Sequence, residues 1–154
     1  MNIIDILVQD HDRIRKELVE IHRALSHGDL RSKIRIFLSS YELHESIEEE
    51  ILLPTLDLLP EDARSEKLLP PYAKMHEAIW ELLDHMMDIL NHADFGELSA
   101  AFFKFDAVIE AHFRFEESSL FPAIQQIIGE KLLRSLGKQA AQRLSHFGEL
   151  KEII

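Results

Sequence analysis

Four histidines and two glutamates of this 154-residue chain fall at helical spacing on apolar stripes. His11 lies between Leu7 and Ile14, and His44 between Tyr41 and Ile47. His76 lies between Tyr72 and Ile79, and His112 between Ile109 and Phe115. Glu48 follows His44 by four positions, and Glu116 follows His112 by four. Four residues advance a helix by ~6 Å and ~40° of rotation, so each His–Glu pair shares a face. One inward histidine is an ordinary core residue with a hydrogen-bond partner. Four of them, joined by two carboxylates, are costly to bury unless something binds them. Imidazole and carboxylate together make a hard-to-borderline donor set that suits iron, manganese or zinc. Inward Glu and His on bundle helices is also how di-iron carboxylate proteins are built. The two near-equal sets, His11/His44/Glu48 and His76/His112/Glu116, predict two metals bridged by the carboxylates at about 3.5–4 Å.

Helices have to carry these residues. The chain has 23 Leu against 3 Val and 1 Thr, with only 5 Gly and 5 Pro, a composition for helix rather than sheet. Ile4, Leu7, Ile14, Leu18, Ile21 and Leu25 mark the face of a first helix, with Asn2 or Asp5 as its cap and Gly28 as its stop. A second helix is predicted over about 30–59, bent near Pro54, with Phe37, Leu38, Tyr41, Ile47 and Ile51 inward. Residues 60–71, polar and bounded by prolines, read as a connector with at most a short helical turn. A third helix over about 72–92 turns Met75, Ile79, Leu83, Met86 and Leu90 inward. A fourth begins after Gly96 and carries Phe102, Phe105, Ile109, Phe115 and Leu120. The tail, 131–154, reads as shorter helices packed on a bundle of about 3–128 within one domain spanning 1–154.

The chain also repeats itself. Residues 44–56, HESIEEEILLPTL, align with 112–124, HFRFEESSLFPAI, at an offset of 68, with 5 of 13 positions identical. The first and third helices match at an offset of 65 through His11/His76, Ile14/Ile79, Leu18/Leu83, Leu25/Leu90, His27/His92 and Asp29/Asp94. Two similar helix pairs predict a pseudo-symmetric four-helix bundle.

Charge and composition narrow the function. Cysteine is absent, which removes thiolate metal sites, iron–sulfur ligation and Cys nucleophiles. The net charge of −11 repels a phosphate backbone and an anionic membrane surface, so neither nucleic acid nor membrane is expected as a partner. The N-terminus lacks a basic leader, and no apolar run approaches ~18 residues, so a cytoplasmic location is expected.

The pattern His11 … His44-x-x-x-Glu48 … His76 … His112-x-x-x-Glu116, with Leu-Leu-Pro and Leu-Phe-Pro following, resembles the hemerythrin-like, HHE cation-binding family over roughly residues 3–128. The resemblance implies an all-α, up-down-up-down four-helix bundle around a non-haem, oxo- or hydroxo-bridged di-iron centre. It implies His11, His44, His76 and His112 as ligands, Glu48 and Glu116 as bridges, and oxygen, nitric oxide or peroxide as the molecule bound or reduced. Its alternative is a sensory, storage or interaction module without turnover. Trp80 stands where oxygen-carrying members have a second histidine on the third helix, which would leave that metal an open position or let the indole cover the pocket. Where the carriers use a carboxylate five residues after the last histidine, this chain is acidic at both the fourth and fifth places, Glu116 and Glu117.

The remaining polar residues fit less well. Glu45 could supply a further oxygen, but its offset of ~100° from His44 favours the surface. Glu49, Glu50 and Glu117 read as a solvated face. His27, His85 and His92 fall at exposed or helix-end positions, His22 is three turns from His11, and His146 carries no motif. Met75, Met86 and Met87 read as core filling.

Overall fold

The structure is a computed structural model and describes residues 1–24, 30–61, 63–92 and 94–153, without the side chains of 63–65 and 149–153. Every regular element among them is helical. Leu25, His27, Gly28 and Asp29 lie outside the described residues.

Helix α1, Ile3–Arg23, starts at a capping box: the Asn2 side chain accepts from Asp5 N–H and the Asp5 carboxylate accepts from Asn2 N–H. Helix α2 spans Leu30–Ile47. At Glu48 it widens into a π-helical turn, Glu48–Leu52, followed by a 3₁₀ stretch, Leu53–Leu58. Helix α4, Phe95–Phe115, does the same through the π-turn Glu116–Leu120 before helix α5, Phe121–Ile127. The cause is shared. Pro54 and Pro122 cannot donate to the carbonyl four residues back, and their rings crowd it. The wider turn is closed instead by Leu53 N–H on the Glu48 carbonyl and Phe121 N–H on that of Glu116.

Helix α3, Ala63–Ile89, is longer than its sequence suggests and runs through Pro70 and Pro71. The expected connector over 60–71 is therefore mostly helix. Leu68, Leu69 and Tyr72 pack on the core there, and that burial outweighs the two lost backbone donors. Helix α4 begins one residue before Gly96 because Asp94 caps it, accepting from Glu97 N–H. The tail is one helix, α6, Glu130–Ile153, rather than several short ones. It lies along α1, and Gly137 makes the contact possible: a Cβ there would sit 2.6 Å from the Met1 carbonyl oxygen.

Two apolar clusters fill the interior. One holds Ile14, Tyr41, Ile79, Ile109 and Phe113; the other holds Leu7, Ile47, Tyr72 and Leu120. On each helix the inward histidine falls between a residue of one cluster and the stretch that feeds the other. A polar layer thus separates two hydrophobic halves. Each fully buried Phe or Leu contributes about 1.5–3 kcal/mol, which is what allows the fold to carry that layer.

Candidate metal centre

His11, His44, His112, Glu48 and Glu116 are fully buried, and His76 nearly so. The structure brings all six predicted residues together. Glu48 lies at the middle. Its Oε1 is 2.8 Å from His44 Nε2 and 3.9 Å from His11 Nε2, while its Oε2 is 3.1 Å from His76 Nε2 and 3.7 Å from His112 Nε2. Glu116 Oε1 lies 3.1 Å from His112 Nε2 and 3.4 Å from His11 Nε2.

Glu45 belongs to the same layer, which corrects its expected surface position. It is fully buried, with Oε2 3.3 Å from His76 Nδ1 and Oε1 3.7 Å from His112 Nε2. The donor atoms fall into two groups, each within 4.8 Å of one another: His11, His44, Glu48 and Glu116, and Glu45, Glu48, His76 and His112. Glu48 is common to both. The partition differs from the sequence expectation, which set Glu116 with His76 and His112.

Outer carboxylates fix the rings. His44 Nδ1 donates to Asp10 Oδ2 at 2.8 Å, and His11 Nδ1 donates to Glu117 Oε1 at 2.8 Å. With Nδ1–H so engaged, the Nε2 of each ring faces the layer. Arg13 holds Asp10 at 2.6 Å and Ser40 at 2.6 Å, while Arg15 holds Glu117 at 3.0 Å. Behind His76, Nδ1 lies 3.3 Å from Glu49 Oε1, which accepts from the Trp80 indole N–H at 2.5 Å. The Trp80 indole thus braces Glu49. Glu49 and Glu117 touch solvent as predicted but also back a histidine; Glu50 is the exposed member and pairs with Arg143. Asp10 was not singled out from sequence, although Ile6 and Ile14, four residues to either side, place it on the buried face of α1.

The electrostatics of the layer follow from the crowding of its charges. Burial pushes the Glu48 carboxyl up, but His44, His11 and His112 overcome it and hold it well below the usual range. Glu116 goes the other way, driven well above the usual range by burial and by the Glu48 and Glu45 charges beside it. Burial opposes charge on His44 and His76, yet Glu48 and the flanking carboxylates raise them to about 10 and about 9. Asp10, despite burial, is lowered to about 2 by His44 and Arg13. Protein groups alone cannot ionise both Glu48 and Glu116 cheaply. The unmet demand is visible atom by atom. His11 Nε2, His44 Nε2, both Glu45 oxygens, Glu48 Oε1, both His112 ring nitrogens and both Glu116 oxygens are buried without a hydrogen-bond partner. His44 Nε2 and Glu48 Oε1 approach to 2.8 Å yet lack hydrogen-bond alignment, as expected of two lone pairs facing a common cation. The donor set fits a pair of metal ions.

The other sequence candidates stand apart. His22 pairs with Asp106 at 2.7 Å beside Phe102 and Phe103 on the α1–α4 surface. His85, His92 and His146 are exposed. Met86 is core, Met75 is half-buried, and Met87 is exposed. Among the described residues no helix is long and apolar enough to cross a membrane. The family model described as hemerythrin HHE cation-binding domain matches residues 2–124, which takes in all seven residues of the layer and stops short of α6. Comparison with curated proteins finds no match, and comparison with solved structures finds none either.

Proposed function

The chain belongs to the hemerythrin HHE cation-binding family, and from that premise we propose that it is a non-haem di-iron protein that binds or reduces oxygen, nitric oxide or a peroxide in its core. One observation carries the reading: nine ring-nitrogen and carboxylate-oxygen atoms converge in a buried layer with no hydrogen-bond partner. Unpaired donors at that density are stable only around a cation.

In this reading the four bundle helices run up-down-up-down and α6 is an addition to them. His11, His44 and Glu116 would hold one iron, His76, His112 and Glu45 the other, and Glu48 would serve both. The di-iron pair supplies two redox-active Lewis acids that bind a small molecule and exchange electrons with it. The chain does the rest. Asp10 and Glu117 lock His44 and His11 with Nε2 inward. Phe113 stacks on His11 at 3.8 Å and Phe121 at 5.8 Å, keeping water from that ring. The Tyr72 hydroxyl donates to Glu48 Oε2 at 3.2 Å and steadies the shared carboxylate.

Glu45 changes the expectation attached to Trp80. With Glu45 turned inward, the His76 side is not short of a ligand. Each half then has one carboxylate besides the common Glu48: Glu116 beside His11 and His44, and Glu45 beside His76 and His112. Freshly purified protein should contain two irons per chain and show visible absorption that is lost on reduction. Mixed with oxygen, the reduced protein is expected to end oxidised, without releasing the gas unchanged under vacuum. One metal per chain after full reconstitution would contradict this reading.

A further inference from the structure

A buried pair of ions has to be loaded, and one face of the layer keeps a ligand partly exposed. Of the seven residues in the layer, only the His76 side chain keeps any exposure, 8 %; the others have none. Beside His76, Glu49 is 37 % exposed and its Oε1 lies 3.3 Å from His76 Nδ1. The buried Glu45 Oε2, itself without a hydrogen-bond partner, lies 3.3 Å from the same nitrogen. Outside Glu49 a surface cleft of about 460 Å³ runs between the 3₁₀ stretch and α3, lined by Glu49, Leu53, Pro54, Asp57, Leu69 and Tyr72. Its floor, Tyr72, packs 4.2 Å from the His76 ring and hydrogen-bonds Glu48. Carboxylates therefore lead inward in steps, from Asp57 at the mouth to Glu49 at the wall and Glu45 and Glu48 within.

On the opposite face the carboxylates next to the layer already carry cationic partners: Glu117 is bound by Arg15, and Asp10 by Arg13. Among the described residues no lysine or arginine pairs with Glu49, whose oxygen takes the uncharged Trp80 indole N–H instead. An acidic cleft with low-dielectric walls concentrates cations at its base and speeds their association.

We propose that the Glu49–Asp57 cleft is the port through which a divalent cation reaches the buried layer, arriving first at the His76/His112/Glu45 half, with Glu49 as its inner carboxylate. The proposal rests on the two-metal reading above, and the following test separates the two. Cobalt(II) is mixed rapidly with metal-stripped full-length protein, and uptake is followed by cobalt absorption and by fluorescence of Trp80, the one tryptophan. Glu49→Gln should load about tenfold more slowly, the lower end of what steering by a charged cleft supplies, and Asp57→Asn more slowly by a smaller factor. Added salt should slow the wild type more than either variant. Asp12→Asn, which removes an equal charge beside Arg15 on the opposite face, should load at the wild-type rate.

If the wild type takes up no cobalt, the metal-centre reading fails and the port fails with it. Normal uptake by the wild type with unchanged rates in both cleft variants would overturn the port alone. So would equal slowing in Asp12→Asn. Slowing in Glu49→Gln with Asp57→Asn at the wild-type rate would assign Glu49 to the support of His76, and would equally overturn the port. Asp57 touches no ligand, so its variant decides the question even if Glu49→Gln folds poorly.

Discussion

The two halves of the metal layer descend from one pattern and are finished differently. Taking the repeat offsets of 65 and 68, His11 corresponds to His76, His44 to His112, Glu48 to Glu116 and Glu117 to Glu49. The bracing repeats as well. Arg15 holds Glu117 behind His11, and at the equivalent place Trp80 holds Glu49 behind His76. One brace is cationic, the other neutral. Asp10, which orients His44, corresponds to Met75, so His112 Nδ1 is left buried without a partner. Arg13 and Ser40, which hold Asp10, correspond to Ala78 and Val108. Phe113, stacked on His11, corresponds to Glu45, which turns toward His76 and His112. The first half is thus backed by two arginine-held carboxylates and covered by Phe113, with Glu116 as the carboxylate it does not share. The second is loosely backed and gains a carboxylate. Duplication supplies the ligand frame; substitutions one step behind it set how each half is backed.

The largest effect should come from the residue that belongs to both halves. Glu48→Ala removes the carboxylate whose two oxygens face opposite ways, and stoichiometric metal should be lost from both positions, as elemental analysis would read. Retention of one full equivalent would show that the halves are independent.

Asp10→Asn should act on the first half alone. It weakens the anchor that turns His44 Nε2 inward, and affinity there should drop by about 10–100-fold, as for other outer-sphere partners of histidine ligands. A chelator titration should resolve two steps, with only one of them moved. The reverse change sharpens the comparison. Met75→Asp places a carboxylate where His112 Nδ1 lacks one, and should tighten the second half by roughly tenfold, the low end of the same range. An unchanged second step would mean that Met75 and Asp10 are not equivalent in space.

The smallest effect is on stability without metal. His44 and His76 have folded values of about 10 and about 9 against an ordinary 6.5. Groups raised in this way stabilise fully below pH 6.5 and lose that contribution as pH climbs through their folded values. The depressed Asp10 works at the other end: its contribution is complete above 3.8 and fades as pH falls toward about 2. Metal-stripped protein should therefore melt progressively lower between pH 6.5 and pH 10, while loaded protein, whose histidines are held by metal rather than protons, should change less. Parallel melting curves for the two forms would contradict this.

Sequence made the six-residue frame legible because each member sits three or four positions from an apolar neighbour on its own helix. Glu45 was harder to read because it adjoins a ligand and falls ~100° away from it. Yet Tyr41 and Leu38, four and seven residues earlier, are buried, and α2 is enclosed on more than one side. A wider stripe would have captured Glu45, as it would Asp10 on α1. The prolines misled in one place only. Pro54 and Pro122 mark real departures from α geometry, whereas Pro70 and Pro71 sit inside α3, where contacts distant in sequence hold the helix. The continuous α6 depends on such a contact too, since Gly137 matters through its approach to Met1 rather than through its own propensity.

The most direct test is anomalous diffraction at the iron edge from crystals of the reconstituted protein. Two inequivalent iron peaks are predicted, one against His11, His44 and Glu116, the other against His76, His112 and Glu45, with Glu48 reaching both. A single peak, or two peaks with Glu45 turned away from the second, would contradict the account.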